Sequence, residues 1–111
     1  MVPMVPDELL DDVARRFALL SDRSRLRVLG HLHEVGPASV NELAAELGLT
    51  QPNVSQHLSK LAAAGVVDGC RYGVRVVYRI SDPAVIALCN LVCRSERARI
   101  RKLAGRRTEA T

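Results

Sequence analysis

The chain has no tryptophan, one phenylalanine and two tyrosines in 111 residues, although 48% of it is hydrophobic. An aromatic core is therefore excluded, and the interior must be built from Leu, Val, Ile and Ala. No apolar run is long enough to cross a bilayer, so no membrane span is expected. The opening Met1-Val-Pro-Met-Val-Pro6 lacks the basic and apolar regions of a signal peptide. A cytoplasmic location is the expectation. Three cysteines, an odd number, do not make a disulfide framework in a reducing compartment. Their thiols are small buried hydrophobes, metal ligands or redox groups. Also missing are a Gly-rich phosphate loop, a nucleophile–base pair with supporting context and an evident carboxylate cluster, so an enzyme is not expected.

What is present fits one domain over residues 1–111, with order expected over about 7–103 and a basic tail over about 104–111. A chain this short buries a modest core and gains from a partner subunit. Net charge is +4, but unevenly spread. Residues 1–50 hold five Arg against eight Asp/Glu, and residues 51–111 hold eleven Lys/Arg against four Asp/Glu. A basic half suits a polyanionic partner. Composition alone leaves nucleic acid, membrane, acidic protein and a merely solvated surface all open.

Periodicity predicts five helices and a hairpin. From Asp7, the residues Leu9, Leu10, Val13, Phe17 and Leu20 recur at helical spacing, with acids in the first turn. Ser21 or Asp22 caps a second helix carrying Leu26, Leu29 and Leu32, and Gly36-Pro37 stops it. Ser39 caps a third helix, where Glu42 completes a Ser-x-x-Glu capping box and Val40, Leu43, Ala44 and Leu47 form the apolar stripe. Gly48 ends it, and Thr50 caps a fourth helix running to about Ala64, ended by Gly65. Strands Val66 to Arg71 and Val74 to Ile80 flank a Tyr72-Gly73 turn, with Val74, Val76, Tyr78 and Ile80 on one face and Arg75 and Arg79 on the other. Asp82-Pro83 opens a fifth helix with Val85, Ile86, Leu88, Cys89, Val92 and Cys93, and a basic run follows from Arg94 to Arg107. Two helices joined by a Gly-containing turn, followed by a hairpin, make a winged helix-turn-helix: mainly α, with a small β-hairpin wing.

The fourth helix carries the chemistry. Val54, Leu58 and Leu61 share its inner side, while Pro52, Asn53, Ser55, Gln56, Ser59 and Lys60 take the opposite side. An ordinary solvent face carries more Glu and Lys. Amides bond bidentately to adenine, Ser bonds to any base, and a face without acids does not repel phosphate. The free N–H groups of its first turn favour an anion. Arg71, Arg75 and Arg79 on the wing are placed to reach the backbone or a minor groove. Set against a plain polar surface, the combination of Gly turn, amide-rich helix and Arg-bearing wing favours double-stranded DNA.

Residues 12–95 resemble the ArsR/SmtB family of bacterial winged-helix repressors. The matching stretches begin with Ala18-Leu-Leu-Ser-Asp-Arg-Ser-Arg-Leu-Arg-Val-Leu29 and Val40-Asn-Glu-Leu-Ala-Ala-Glu-Leu-Gly-Leu49. Gln51-Pro-Asn-Val-Ser-Gln-His-Leu-Ser-Lys-Leu61, Ala64-Gly-Val-Val67 and Gly73-Val-Arg-Val-Val-Tyr-Arg-Ile80 follow in the family's order. The resemblance implies a homodimer through the first and fifth helices, the fourth helix in the major groove, and Gln51, Ser55 and Gln56 where family members contact bases. It also implies a repressor of an operator, released in many members by a metal ion or by thiol chemistry.

The family's metal sites mostly fail to carry over. Ser39 and Asn41 stand where one site needs a Cys-x-Cys motif. On the fifth helix only Asp82 matches the zinc ligands; Ala84, Ser95 and Ala98 occupy the other places, and Asp82 reads better as a helix cap. Cys89 and Cys93 remain, at i and i+4 on one helix face. They stay open between a site for a soft metal or metalloid ion and packing as small apolar residues. Cys70 reads as strand packing in the wing, and His57 as a local hydrogen-bonding residue. His31 and His33 lie on opposite sides of the second helix and read as surface or packing. A thiol-redox or persulfide switch is the alternative, weakened by the lack of a cysteine on the second helix, and a repressor without any metal response is another.

Overall fold

Caps and breakers decide where each element starts. The computed structural model describes residues 2–109, with side chains described as far as Arg106; residues 110 and 111 of the expected tail lie outside the described residues. Pro6 opens a single 3₁₀ turn, Asp7–Leu9, closed by the Leu9 N–H donating to the Pro6 carbonyl at 2.9 Å. Helix α1 follows at Leu10–Leu19, three residues later than the apolar spacing suggests.

Helix α2, Arg23–Glu34, is capped by Asp22, whose carboxylate accepts the Arg25 N–H at 3.0 Å. Of the two residues expected to cap it, Ser21 instead donates its hydroxyl to the Ala18 carbonyl. The inner face of α2 is Arg25, Val28, Leu29 and Leu32. Leu26, expected in that stripe, is 41% exposed. The i, i+3, i+4, i+7 row begins on a buried arginine, which conceals it from a hydrophobic count.

A two-residue strand, β1 (Ala38–Ser39), leads into helix α3 (Val40–Leu47). The Ser39 hydroxyl accepts the Glu42 N–H at 3.2 Å. The capping box is half formed, because the Glu42 carboxylate pairs with Arg75 instead. Gly48, at φ 66°, closes α3 in the left-handed conformation that an L side chain avoids. Helix α4 is Gln51–Ala63. Strands β2 (Val67–Tyr72) and β3 (Arg75–Ile80) pair antiparallel with Tyr72 opposite Arg75, so the turn is Gly73-Val74, one residue beyond the expected Tyr72-Gly73. Val74 therefore leaves the strand face assigned to it and stands fully exposed.

Strand β1 adds to the other edge of β3, with Ala38 opposite Tyr78 and Ser39 opposite Val77, giving the order β1-β3-β2. The sequence reading missed this third strand. Gly69 faces the Tyr78 ring: a Cβ there would lie 3.1 Å from the ring edge. The aliphatic core is as composition requires, with Val28, Leu43, Val54, Leu58, Leu61, Val66 and Val67 sealed from solvent.

These elements form one compact unit up to Ser81, and a second begins at Asp82. The second is helix α5, Pro83–Glu109. Asp82 caps it, accepting the Ala84 N–H at 3.0 Å. The helix continues through the residues expected to begin a polar tail. No helix among the described residues is long and apolar enough to cross a membrane.

Candidate nucleic-acid interface

Helix α4 holds its polar face in place through its capped first turn and its buried inner row. The Thr50 hydroxyl accepts the Asn53 N–H at 3.3 Å, and Pro52 sits in the first turn, where its missing N–H leaves no bond unmade. Val54, Leu58 and Leu61 are fully buried. Gln51, Pro52, Asn53, Ser55, Gln56, Ser59 and Lys60 are all exposed. Rows at four-residue spacing, 51-55-59 and 52-56-60, place these side chains on one outward surface. No acid interrupts it. Lys60 stands apart from the rest: nine residues beyond Gln51, about 13 Å along the axis, it lines a groove beside α1.

Position within the unit is secured by a residue that sequence reasoning missed. Arg25 is only 8% exposed. Its Nε–H donates to His57 Nδ1 at 3.3 Å, and its Nη1 donates to the Leu19 carbonyl at 2.9 Å. One guanidinium thus joins the ends of α1 and α2 to the middle of α4. His57 Nε2 lies 3.9 Å from Asp22 Oδ1. The Asp22 carboxyl is held below the ordinary carboxylate range, first by the Arg25 backbone N–H, with the Arg25 charge and the Ser24 N–H adding to it, against some desolvation. His57 is the local hydrogen-bonding residue it was expected to be. The end of α3 is supported similarly, with Arg27 donating to the Leu47 carbonyl at 2.9 Å.

Register divides the wing cations. Arg71 lies opposite Val76, while Arg75 lies opposite Tyr72 and Arg79 opposite Asp68. Directly opposed residues share a sheet face, so Arg71 is on one face of the ribbon and Arg75 and Arg79 are on the other. All three are exposed. Arg75 is held by Glu42 of α3, which ties the wing to the helix-turn-helix. Cys70 is exposed rather than packed in the sheet. It lies on the Tyr72 face, and its thiol pushes the Tyr72 hydroxyl above the usual phenol value.

The α5 thiols are free, Cys89 half-buried and Cys93 exposed. Burial pushes the Cys89 thiol up from its ordinary value, and the neighbouring Cys93 adds to the rise. Among the described residues no group of three or more His, Cys, Asp or Glu side chains is placed to hold a metal ion. His33 is exposed, and His31 is half-buried with Nδ1 lacking a hydrogen-bond partner.

A helix-turn-helix domain family matches residues 20–70, which span α2, β1, α3, the turn, α4 and the start of β2. The regulator KmtR of Mycobacterium tuberculosis is 42% identical over 84 residues, covering 72% of this chain and 64% of its own length. A probable mercury resistance operon repressor of Streptomyces lividans is 37% identical over 87 residues, covering 78% and 69%. The fold is matched by the homodimeric winged helix-turn-helix DNA-binding domain of Mb0332 from Mycobacterium bovis, described as a possible ArsR-family regulator. That structure superposes with a TM-score of 0.76 at 30% identity, over 89% of this chain and 94% of that one. The chain belongs to the ArsR/SmtB family. Its fold is the winged helix-turn-helix that the sequence implied. The chain spans under two thirds of KmtR. Among family members as the sequence reading described them, this one departs by lacking the third-helix cysteines and most of the fifth-helix zinc ligands.

Proposed function

We propose that the protein is a dimeric, sequence-specific DNA-binding repressor. The observation that carries this is the outward face of α4: amide and hydroxyl side chains without an acid, standing over a fully buried inner row. Gln51, Asn53, Ser55 and Gln56 read base edges in the major groove, flanked by Pro52 and Ser59. Arg71 and Arg75, on opposite faces of the wing near its tip, take backbone phosphates. Lys60 is given no base, since it stands at the far end of α4 over the groove beside α1. Dimerisation follows from apolar residues left in water, among them Phe17 on α1 and Leu91, Val92, Ile100 and Leu103 on α5. Two reading helices about 34–36 Å apart would then meet successive major grooves.

A thiophilic metal or metalloid ion on Cys89 and Cys93 is the inducer we favour, supported by the mercury-resistance relative. Two thiols per chain make an incomplete ligand set, which thiols of a second protomer would complete. The site fits soft ions better than nickel or cobalt.

The test is a mobility-shift titration on DNA from upstream of the gene and on random duplex. Gln56→Ala should cost about 1–3 kcal/mol on the specific site and little on the random one. Equal losses on both would reject base reading by α4, and no shift of any duplex would reject the repressor altogether.

A further inference from the structure

Beside the reading helix lies a groove of about 670 Å³, walled by α1, Arg25 of α2 and the last turn of α4. That volume is within the range of small-molecule sites and equals roughly twenty water molecules, far more than one inorganic ion needs. Its polar lining is mostly cationic, with Arg15, Arg16, Arg25 and Lys60 beside the carboxylate of Asp12; Arg16 and Arg25 are engaged by the protein itself, so the charge offered to a ligand is that of Arg15 and Lys60. Asp12 does little to neutralise it. It lies 3.6 Å from Arg15 with both side chains more than 70% exposed, where water and salt screen the pair. Arg16 donates to the Ala64 carbonyl at 3.3 Å across the groove.

Two features distinguish this from an ordinary basic surface. Helix α1 buries no residue, and two of the groove's own arginines bond across its walls, Arg16 of α1 to Ala64 just past α4 and Arg25 of α2 to Leu19 of α1. Arg25 is almost wholly buried there, with its Nε committed to His57 of α4. A concave, positively charged, partly buried site joined to the reading helix is placed to hold a ligand.

We infer that this groove binds a small polyanion, a molecule carrying two or more phosphate or carboxylate groups. One anionic group lies toward Arg15 on α1, and the other toward Lys60 on α4. Its lining shares no residue with the proposed base-reading set, and its first test needs no DNA. The full chain is titrated calorimetrically at constant ionic strength with pyrophosphate and, separately, with citrate. Saturable binding of one equivalent per chain is expected for at least one probe, and at least tenfold weaker binding in the Arg15→Gln/Lys60→Gln variant. Both side chains are exposed, so the variant should melt as the wild type does. Tighter pyrophosphate binding assigns a phosphoanhydride ligand; tighter citrate binding assigns a polycarboxylate. No saturation by either probe, or equal binding by the variant, overturns the inference. So does a loss of random-duplex affinity in Arg15→Gln with a shallower salt dependence, because the groove would then be part of the DNA backbone footprint.

Discussion

Helices α4 and α5 use their surfaces in opposite ways. The thirteen residues of α4 are complete within their own unit: the apolar row is sealed, and what faces water is mainly amide and hydroxyl, with Pro52, Lys60, Ala62 and Ala63 and no acid. In α5 every described side chain from Asn90 to Arg106 is exposed, hydrocarbon included, with Leu91, Val92 and Ile100 each more than half exposed. That stretch also holds six cations and a single acid, Glu96, which is paired with Arg99. A helix with its apolar side satisfied and its polar side rich in unused hydrogen-bonding groups is built to meet a polar surface. One that leaves apolar side chains in water is built to meet another helix. On the proposed function, base reading falls to α4 and pairing to α5, so the two roles are carried by different stretches of the chain.

The contrast breaks most severely at the proposed seam. Val92→Asp would put a carboxylate from each protomer into an apolar contact, at several kcal/mol apiece. Sedimentation should then show monomers at micromolar concentration where the wild type is dimeric. A wild type that sediments as a monomer would remove α5 as a dimer element. In α4 the corresponding change is Leu58→Ala, in a fully buried position. About 2–5 kcal/mol of unfolding free energy should be lost, readable by urea denaturation. A loss well below that would mean α4 is not anchored by its inner row.

Next in size is the response to a thiophilic ion. Burial and Cys93 raise the Cys89 pKa, so the thiol stays protonated at neutral pH and an ion must displace that proton. Affinity for mercury(II) should therefore rise with pH, about tenfold per pH unit for each proton displaced, and DNA affinity should fall by about 1–3 kcal/mol on binding. Absorbance in the thiolate–metal band at several pH values checks the first, and operator titration the second. If Cys89→Ser/Cys93→Ser responds like the wild type, the ion binds elsewhere.

The two helices also differ in how much of them could be read beforehand. For α3 and α4 the local signals agree with the tertiary structure: Ser39, Gly48 and Thr50 are caps, and Val54, Leu58 and Leu61 are core. Arg25 was illegible because a buried guanidinium is tolerable only when its partners, the Leu19 carbonyl and His57, arrive from elsewhere in the fold. The inner row keeps the expected Leu29 and Leu32, adds Arg25 and Val28, and leaves Leu26 outside. Strand β1 has two residues and no alternation to detect, so it exists only through its pairing with β3. The Cys70 expectation failed because β2 presents that face to solvent. The length of α5 did have a signal. Its Arg, Lys, Leu and Ala are strong helix formers, and Glu96–Arg99 is an i, i+3 pair. Reading that stretch as charge alone hid its helicity. The base contacts and the thiol site remain readings of chemistry and place, which the substitutions above decide.

The smallest expected effect sits where the reading unit meets its wing. Glu42 completes half a capping box and spends its carboxylate on Arg75. Both side chains are about half exposed, at 44% and 56%. An ion pair so open to water contributes under about 1 kcal/mol to stability, so Glu42→Gln should shift urea denaturation only slightly. Its effect on DNA is more informative. In the free protein Arg75 is held by Glu42, and engaging a phosphate requires giving up that partner. With Gln at position 42 the guanidinium is released, and random-duplex affinity should rise a few-fold with a steeper salt dependence. Deleting any acid near DNA would raise affinity somewhat through the long-range field. Glu46→Gln, on the same helix and exposed, measures that background. A gain in Glu42→Gln beyond the Glu46→Gln gain, abolished by adding Arg75→Ala, places Arg75 on the backbone. Equal gains from the two single variants would mean that Arg75 braces the wing and touches no phosphate.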